Sequence, residues 1–238
     1  MWNRLPSFAR AEPRTALAAQ SNSHTGESNI FRLPREIRDD IYKNVLYFPH
    51  SLYLFQDTES QVETFGPKRP HRWLALLQVN RQMHIETAEI LFGTVHFILL
   101  DEKRAQRCLL KAFLSFIGPV NSASLAHLSM DFPNLEGTME TIKLDADSLQ
   151  RFQSLRESCT GLTTVEASFG IRHIRDLNRV TGESSQLIQE ALSQIDSQWR
   201  AIPSLQNIVV RLSGPKPNPS TMACMQSLGW TVLPAYGA

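Results

Sequence analysis

The chain has little with which to brace itself covalently: three cysteines, Cys108, Cys159 and Cys224, in 238 residues. An odd and widely spaced set excludes a disulfide scaffold, and no pair has the close spacing of a zinc-binding module. Cys108 and Cys159 adjoin apolar helical positions, so buried, reduced thiols are expected, and with them a reducing compartment. An excess of charge of one sign is missing too. The 24 basic and 23 acidic side chains leave a formal net charge of +1, so no global field draws the chain to nucleic acid or to an anionic membrane surface. Nor does any stretch approach the roughly 20 apolar residues needed to cross a bilayer. Nucleic acid and membrane are accordingly not expected as partners.

The local signatures of catalysis are absent as well. There is no GxSxG, no glycine-rich phosphate loop, no HExxH and no paired CxxC. The 7 histidines are scattered, and His71, His84 and His173 are each expected as satisfied surface residues. His84 and Glu86 stand two apart, a spacing that does not share a helical face. Asp145 and Asp147 precede a helical pattern, where carboxylates cap free N–H groups and complement the dipole. No catalytic residue, no metal ligand set and no cofactor is therefore expected. An enzyme whose site assembles from distant residues remains an alternative.

Residues 1–28 read as a disordered leader. Arg4, Arg10 and Arg14 with few acids resemble a mitochondrial presequence, an alternative that Pro6 and Pro13 oppose by interrupting any amphipathic helix. Structure is predicted from Phe31 onward. Pro34 suits the first turn of a helix, where its missing N–H has no intrahelical acceptor, and Glu36 favours the positive end of the dipole. Ile37, Ile41 and Val45 recur at every fourth residue as an apolar stripe, flanked by Leu46. Leu52–Phe55 and Val62–Phe65 read as a hairpin or an irregular insert. A second helix is expected over Arg72–Phe92, with Trp73, Leu76, Leu77, Met83, Ala88 and Leu91 inside and Gly93 as its stop.

Beyond residue 93 two periodicities alternate. Thr94–Leu100, Leu125–Phe132, Leu162–Phe169, Leu205–Leu212 and Trp230–Leu233 read as strands. Between them lie helical patterns: Glu102–Ile117, the set Leu149, Phe152, Leu155 and Cys159, the stripe from Leu187 to Trp199, and Thr221–Leu228. Parallel neighbours need crossovers, so helix–strand units with short connections imply a largely parallel sheet and an α/β (α+β overall) fold. A leucine-rich-repeat-like arc and a compact open sheet both fit. Arg172, Arg175 and Arg179 fall along one helical face, either solvated or a patch for an acidic partner.

The segment FRLPREIRDDIYKNVL, residues 31–46, together with LLQVNRQMHIETA from Leu76 and the later Leu91, Phe92, Gly93 and Phe97, resembles a group of fungal F-box-like proteins. Their opening LPxEIRxxIY precedes a helix of the type LLxxNRQxxxEAxxxLYGxxxF. The resemblance implies an F-box-like helical head over residues 29–93, with an inserted hairpin or loop, and an α/β repeat body over 94–238. It implies an adaptor-binding surface of Leu33, Pro34, Ile37, Ile41 and Val45, joined through that adaptor to a cullin–RING ubiquitin ligase, in the cytoplasm or nucleus. The body would then hold a target protein. An F-box has several closely spaced helices, whereas some 25 residues rich in extended types separate these two motifs. Two further readings therefore stand beside the first: an interaction protein of the same group without ligase coupling, and a stripe that is simply core against the second helix.

Overall fold

The computed structural model describes residues 3–4, 29–56, 62–66, 74–100, 103–138, 141–182 and 184–235. Apart from Asn3–Arg4, the expected leader lies outside them, as does Trp73. The chain order is strand β1 (Asn3–Arg4), helix α1 (Arg35–Leu46), β2 (Leu52–Gln56), β3 (Val62–Phe65), α2 (Arg81–Thr94), β4 (His96–Leu99), α3 (Lys103–Ser124), β5 (His127–Asp131), β6 (Leu135–Thr138), β7 (Thr141–Leu144), α4 (Ala146–Ser158), β8 (Thr164–Gly170), α5 (Ile171–Thr181), α6 (Ser185–Arg200), β9 (Asn207–Ser213), α7 (Pro219–Ser227) and β10 (Thr231–Leu233). The fold is α/β, with a mostly parallel sheet as its frame.

That sheet runs in the order β1-β3-β2-β4-β5-β8-β9-β10. From β2 to β10 every neighbouring pair is parallel, and each crossover advances the sheet in the same direction. Parallel crossovers have one strongly preferred hand, so steps in one direction place the connecting helices on one face. The alternation of burial agrees. Leu52, Leu54, Phe97, Leu99, Leu128, Met130, Val165, Ala167, Phe169, Ile208, Val210 and Leu212 join the helices' apolar side chains in one core. Their strand neighbours, among them His127, Ser129, Glu166 and Arg211, point to the opposite face.

Several elements depart from their predicted form, each for a local reason. The hairpin β2–β3 is an antiparallel pair that extends the sheet, because β2 also pairs with β4. The second helix starts at Arg81, since the Asn80 side chain accepts from the Met83 backbone N–H at 2.9 Å and caps it there. A short 3₁₀ turn, Ala75–Gln78, takes the place of its expected first turns. Gly93 does not stop this helix, which ends on Thr94. At Gly118 the backbone turns to φ +78°, a region that favours glycine, and α3 breaks there before resuming through Pro119 to Ser124. The antiparallel pair β6–β7 was not predicted. Leu149 is exposed on α4, while Phe152, Leu155 and Cys159 are buried as expected. Burial pushes the Cys159 thiol up to about 12, and Cys108 is exposed rather than buried. No described helix is long and apolar enough to cross a membrane.

Helix α6 sinks its apolar stripe into the core. Its Ile188, Ala191, Leu192, Ile195 and Trp199 are buried, and Phe152 of α4 meets the Trp199 ring edge to face at 4.5 Å. Gly161 lets the entry to β8 pass close to the end of α3, where a Cβ would sit 2.4 Å from the Ala123 carbonyl oxygen. Trp199→Ala is expected to cost about 3–5 kcal/mol of stability through the cavity it leaves. Gly161→Ala is expected to cost about 1–3 kcal/mol through overpacking. Urea unfolding followed by circular dichroism measures both.

Candidate functional site

Helix α1 turns one side into the core and leaves the apolar stripe of Ile37, Ile41 and Val45 outward. Its buried residues are Arg38, Tyr42 and Leu46, one turn apart and offset by a single position from the stripe of Ile37, Ile41 and Val45. Arg38 is held by Glu86 of α2 through two hydrogen bonds, Nε to Oε2 at 2.9 Å and Nη2 to Oε1 at 2.6 Å. Its third nitrogen donates to the Leu33 carbonyl at 2.7 Å, which ties down the turn that carries Leu33 and Pro34. Gln82 donates to the same carboxylate at 3.0 Å, and Arg35 reaches Glu89 at 3.0 Å. A planar guanidinium fork satisfied this way tolerates burial that an unpaired charge would not.

This environment shifts the ionisations. The Arg38 hydrogen bonds hold the Glu86 carboxyl down at about 2, from an ordinary value of 4.5, against the opposing effect of burial. Burial, and then the Glu86 charge, raise the Tyr42 phenol above its usual range.

The five residues that the resemblance singles out lie together on the other side. Leu33 is 37%, Ile37 48%, Ile41 36% and Val45 51% exposed, and Pro34 is exposed with them. The alternative in which the stripe is core against α2 is thereby corrected: Tyr42 and Leu46 fill that contact, and the Arg38–Glu86 pair fixes the rotation of the helix.

Other candidates are placed as follows. Asp145 caps α4 by accepting from the Ser148 N–H at 2.8 Å. Glu86 turns to α1, while His84 meets the Leu77 carbonyl at 2.7 Å, so these two do not converge. Arg175 and Arg179 are exposed along α5, but Arg172 leaves their row to pair with Asp131. His173 is buried, against the expectation of a surface histidine, because its ring stacks on Phe169 and its Nδ1 accepts from the Gly170 N–H at 3.0 Å.

A second constellation, on the face of the sheet away from the core, escaped the sequence reading. His96 and His127 open adjacent strands in matching register, and their rings stack at 3.7 Å. Ser51 Oγ lies 2.9 Å from His96 Nδ1, and Ser129 Oγ lies 2.7 Å from His96 Nε2. His127 Nε2 stands 3.2 Å from Glu166 Oε1, and Arg211 Nε donates to Glu166 Oε2 at 2.8 Å. Burial, and next the neighbouring His127, push His96 down to about 4. Beside this cluster a depression of about 430 Å³ is lined by Tyr53, Ser129, Asp131, Glu166, Arg172 and Arg211 among others. The members come from separate strands, so no local spacing announces them. The one available signal is that His96 and His127 each start an apolar strand pattern.

Comparison of the chain with protein-family models, with curated proteins and with solved structures finds no match.

The depressed Glu86 ionisation carries a sign. Its stabilisation is fully present above the ordinary value of about 4.5 and is lost as pH falls towards about 2. Glu86→Gln is expected to lower the urea midpoint at neutral pH and to flatten its decline between neutral pH and pH 3. A variant whose acid decline matches that of the wild type would show that other carboxylates govern the transition.

Proposed function

We propose that the chain is a protein-interaction module that presents Leu33, Pro34, Ile37, Ile41 and Val45 to a partner protein, and that this partner is the small adaptor of a cullin–RING ubiquitin ligase. The observation that carries the reading is the exposed apolar side of α1, backed by the buried Arg38–Glu86 pair. Apolar side chains clustered on one rigid helix face are characteristic of partner-binding surfaces. The resemblance of residues 31–46 and 74–97 to fungal F-box-like proteins supplies the identity of the partner. The F-box-like head is residues 29–93, and the body, residues 94–238, presents the target protein to the ligase in the cytoplasm or nucleus. The one-directional strand order supports a leucine-rich-repeat-like body.

A second reading rests on one specific feature. Between its two motifs the head carries a hairpin that is built into the sheet, where an F-box carries further helices. In this reading the same helix face serves a partner other than the ligase adaptor.

Affinity purification of the full chain distinguishes these readings, with Leu33→Ala/Pro34→Ala and Ile37→Asp/Ile41→Asp variants alongside. Stoichiometric recovery of adaptor and cullin is expected, with a loss of about 2 kcal/mol or more in adaptor affinity for the variants. The substituted side chains are exposed, so the variants should keep the wild-type circular dichroism spectrum. If the folded wild-type chain recovers neither protein, ligase coupling is refuted. Direct titration with purified adaptor checks that result without dependence on a cell extract.

A further inference from the structure

We propose that His96, His127 and Glu166 form a binding site for a divalent first-row transition metal ion of the zinc type, which clamps the adjacent strands β4, β5 and β8 together. One donor atom from each residue lies within 4.8 Å of the other two. Two imidazoles and a carboxylate are a donor set that suits zinc, whose bonds to nitrogen and oxygen are about 2.0–2.2 Å long. Tetrahedral bonds of that length separate neighbouring donor atoms by about 3.3 Å. The 3.2 Å between His127 Nε2 and Glu166 Oε1 already matches one edge of such a site.

The surroundings supply the support that metal ligands need. Ser51 Oγ, 2.9 Å from His96 Nδ1, is placed to accept that N–H and so leave the Nε2 lone pair for the metal. Orientation of a ligating histidine through its other ring nitrogen is the usual outer-shell arrangement. Arg211 Nε holds Glu166 Oε2, leaving Oε1 towards His127. Register fixes the three positions, because His96 pairs with His127 and Glu166 pairs with Ser129, two residues further along β5.

Binding exchanges two contacts and turns the two imidazole rings out of their parallel stack at 3.7 Å, because a metal must lie near the plane of each ring to meet its nitrogen lone pair. The metal takes the place of the Ser129 hydroxyl at His96 Nε2 and enters between His127 Nε2 and Glu166 Oε1. Any proton on the donor nitrogens moves to the second ring nitrogen or is released to solvent. Glu166 and Ser129 also line the depression beside the cluster, so a fourth ligand has access from that side.

The test uses the full chain, stripped with a chelator and titrated with Co²⁺ and then Zn²⁺. One Co²⁺ per chain is expected, with visible absorption bands of a low-symmetry nitrogen and oxygen site, displacement by Zn²⁺ and a rise in Tm. His127→Ala and Glu166→Gln are expected to abolish the bands while keeping the circular dichroism spectrum. Ser51→Ala, a positioning change, should weaken binding by about 10-fold. His84→Ala, remote from the cluster, should leave binding unchanged. The proposal is overturned if the stripped wild-type chain binds neither ion more tightly than the His96→Ala/His127→Ala/Glu166→Gln triple variant. It is equally overturned if binding persists unchanged in the folded His127→Ala and Glu166→Gln chains.

Discussion

Each parallel step from β2 to β10 moves in one direction, and a crossover of constant hand then has only one side of the sheet on which to place its helix. Much of the molecule follows from that. One face of every strand must be apolar to meet the helices, as Phe97, Leu128, Val165 and Val210 do. The other face is free to hold groups that a sheet covered on both sides would exclude. His127, Glu166 and Arg211 occupy it, and the depression lies over it. Strand alternation thus divides the labour of the sheet, with one residue in two serving stability and its neighbour available for recognition.

The second organising interaction is the contact between α1 and α2. A helix with apolar residues at 37, 41 and 45 would bury them if nothing better were on offer. What is on offer is a bidentate Arg38–Glu86 pair with Tyr42 and Leu46 beside it. The alternative rotation would bury the isoleucines and expose Tyr42 and Leu46, while leaving Glu86 in a buried position without its guanidinium. The cost of such an orphaned charge exceeds that of leaving a few aliphatic side chains in water. The apolar stripe is therefore left facing outward by the strength of what lies behind it. A partner that covers it recovers the burial that the fold forgoes.

The two candidate surfaces are independent. The helix stripe is apolar, held by an ion pair at the back, and suited to another protein. The sheet cluster is polar and convergent, and its chemistry is that of ligand donors. They sit on different elements, one on α1 and one on β4, β5 and β8, so neither needs the other to be formed.

Element types and their order were largely legible from residue patterns. The strand runs TVHFILL, LAHLSMDF, LTTVEASF and LQNIVVRL and the stripe from Ile188 to Trp199 carry their periods locally, because pleat and helix repeat over only a few residues. Boundaries set by a single side chain, such as the Asn80 cap of α2, were not. A hairpin as short as β6–β7 leaves too little alternation to see. The α1 stripe itself was visible in the sequence, but its outward direction was not, since that depends on Glu86, 48 residues away. The buried His173 and the convergence of His96, His127 and Glu166 were likewise invisible to local pattern. The sequence by itself thus determined which segments are helix or strand and which residues share a side of each. Only the tertiary structure decided which side faces the core and which strands become neighbours, because both depend on pairings between residues far apart in the chain.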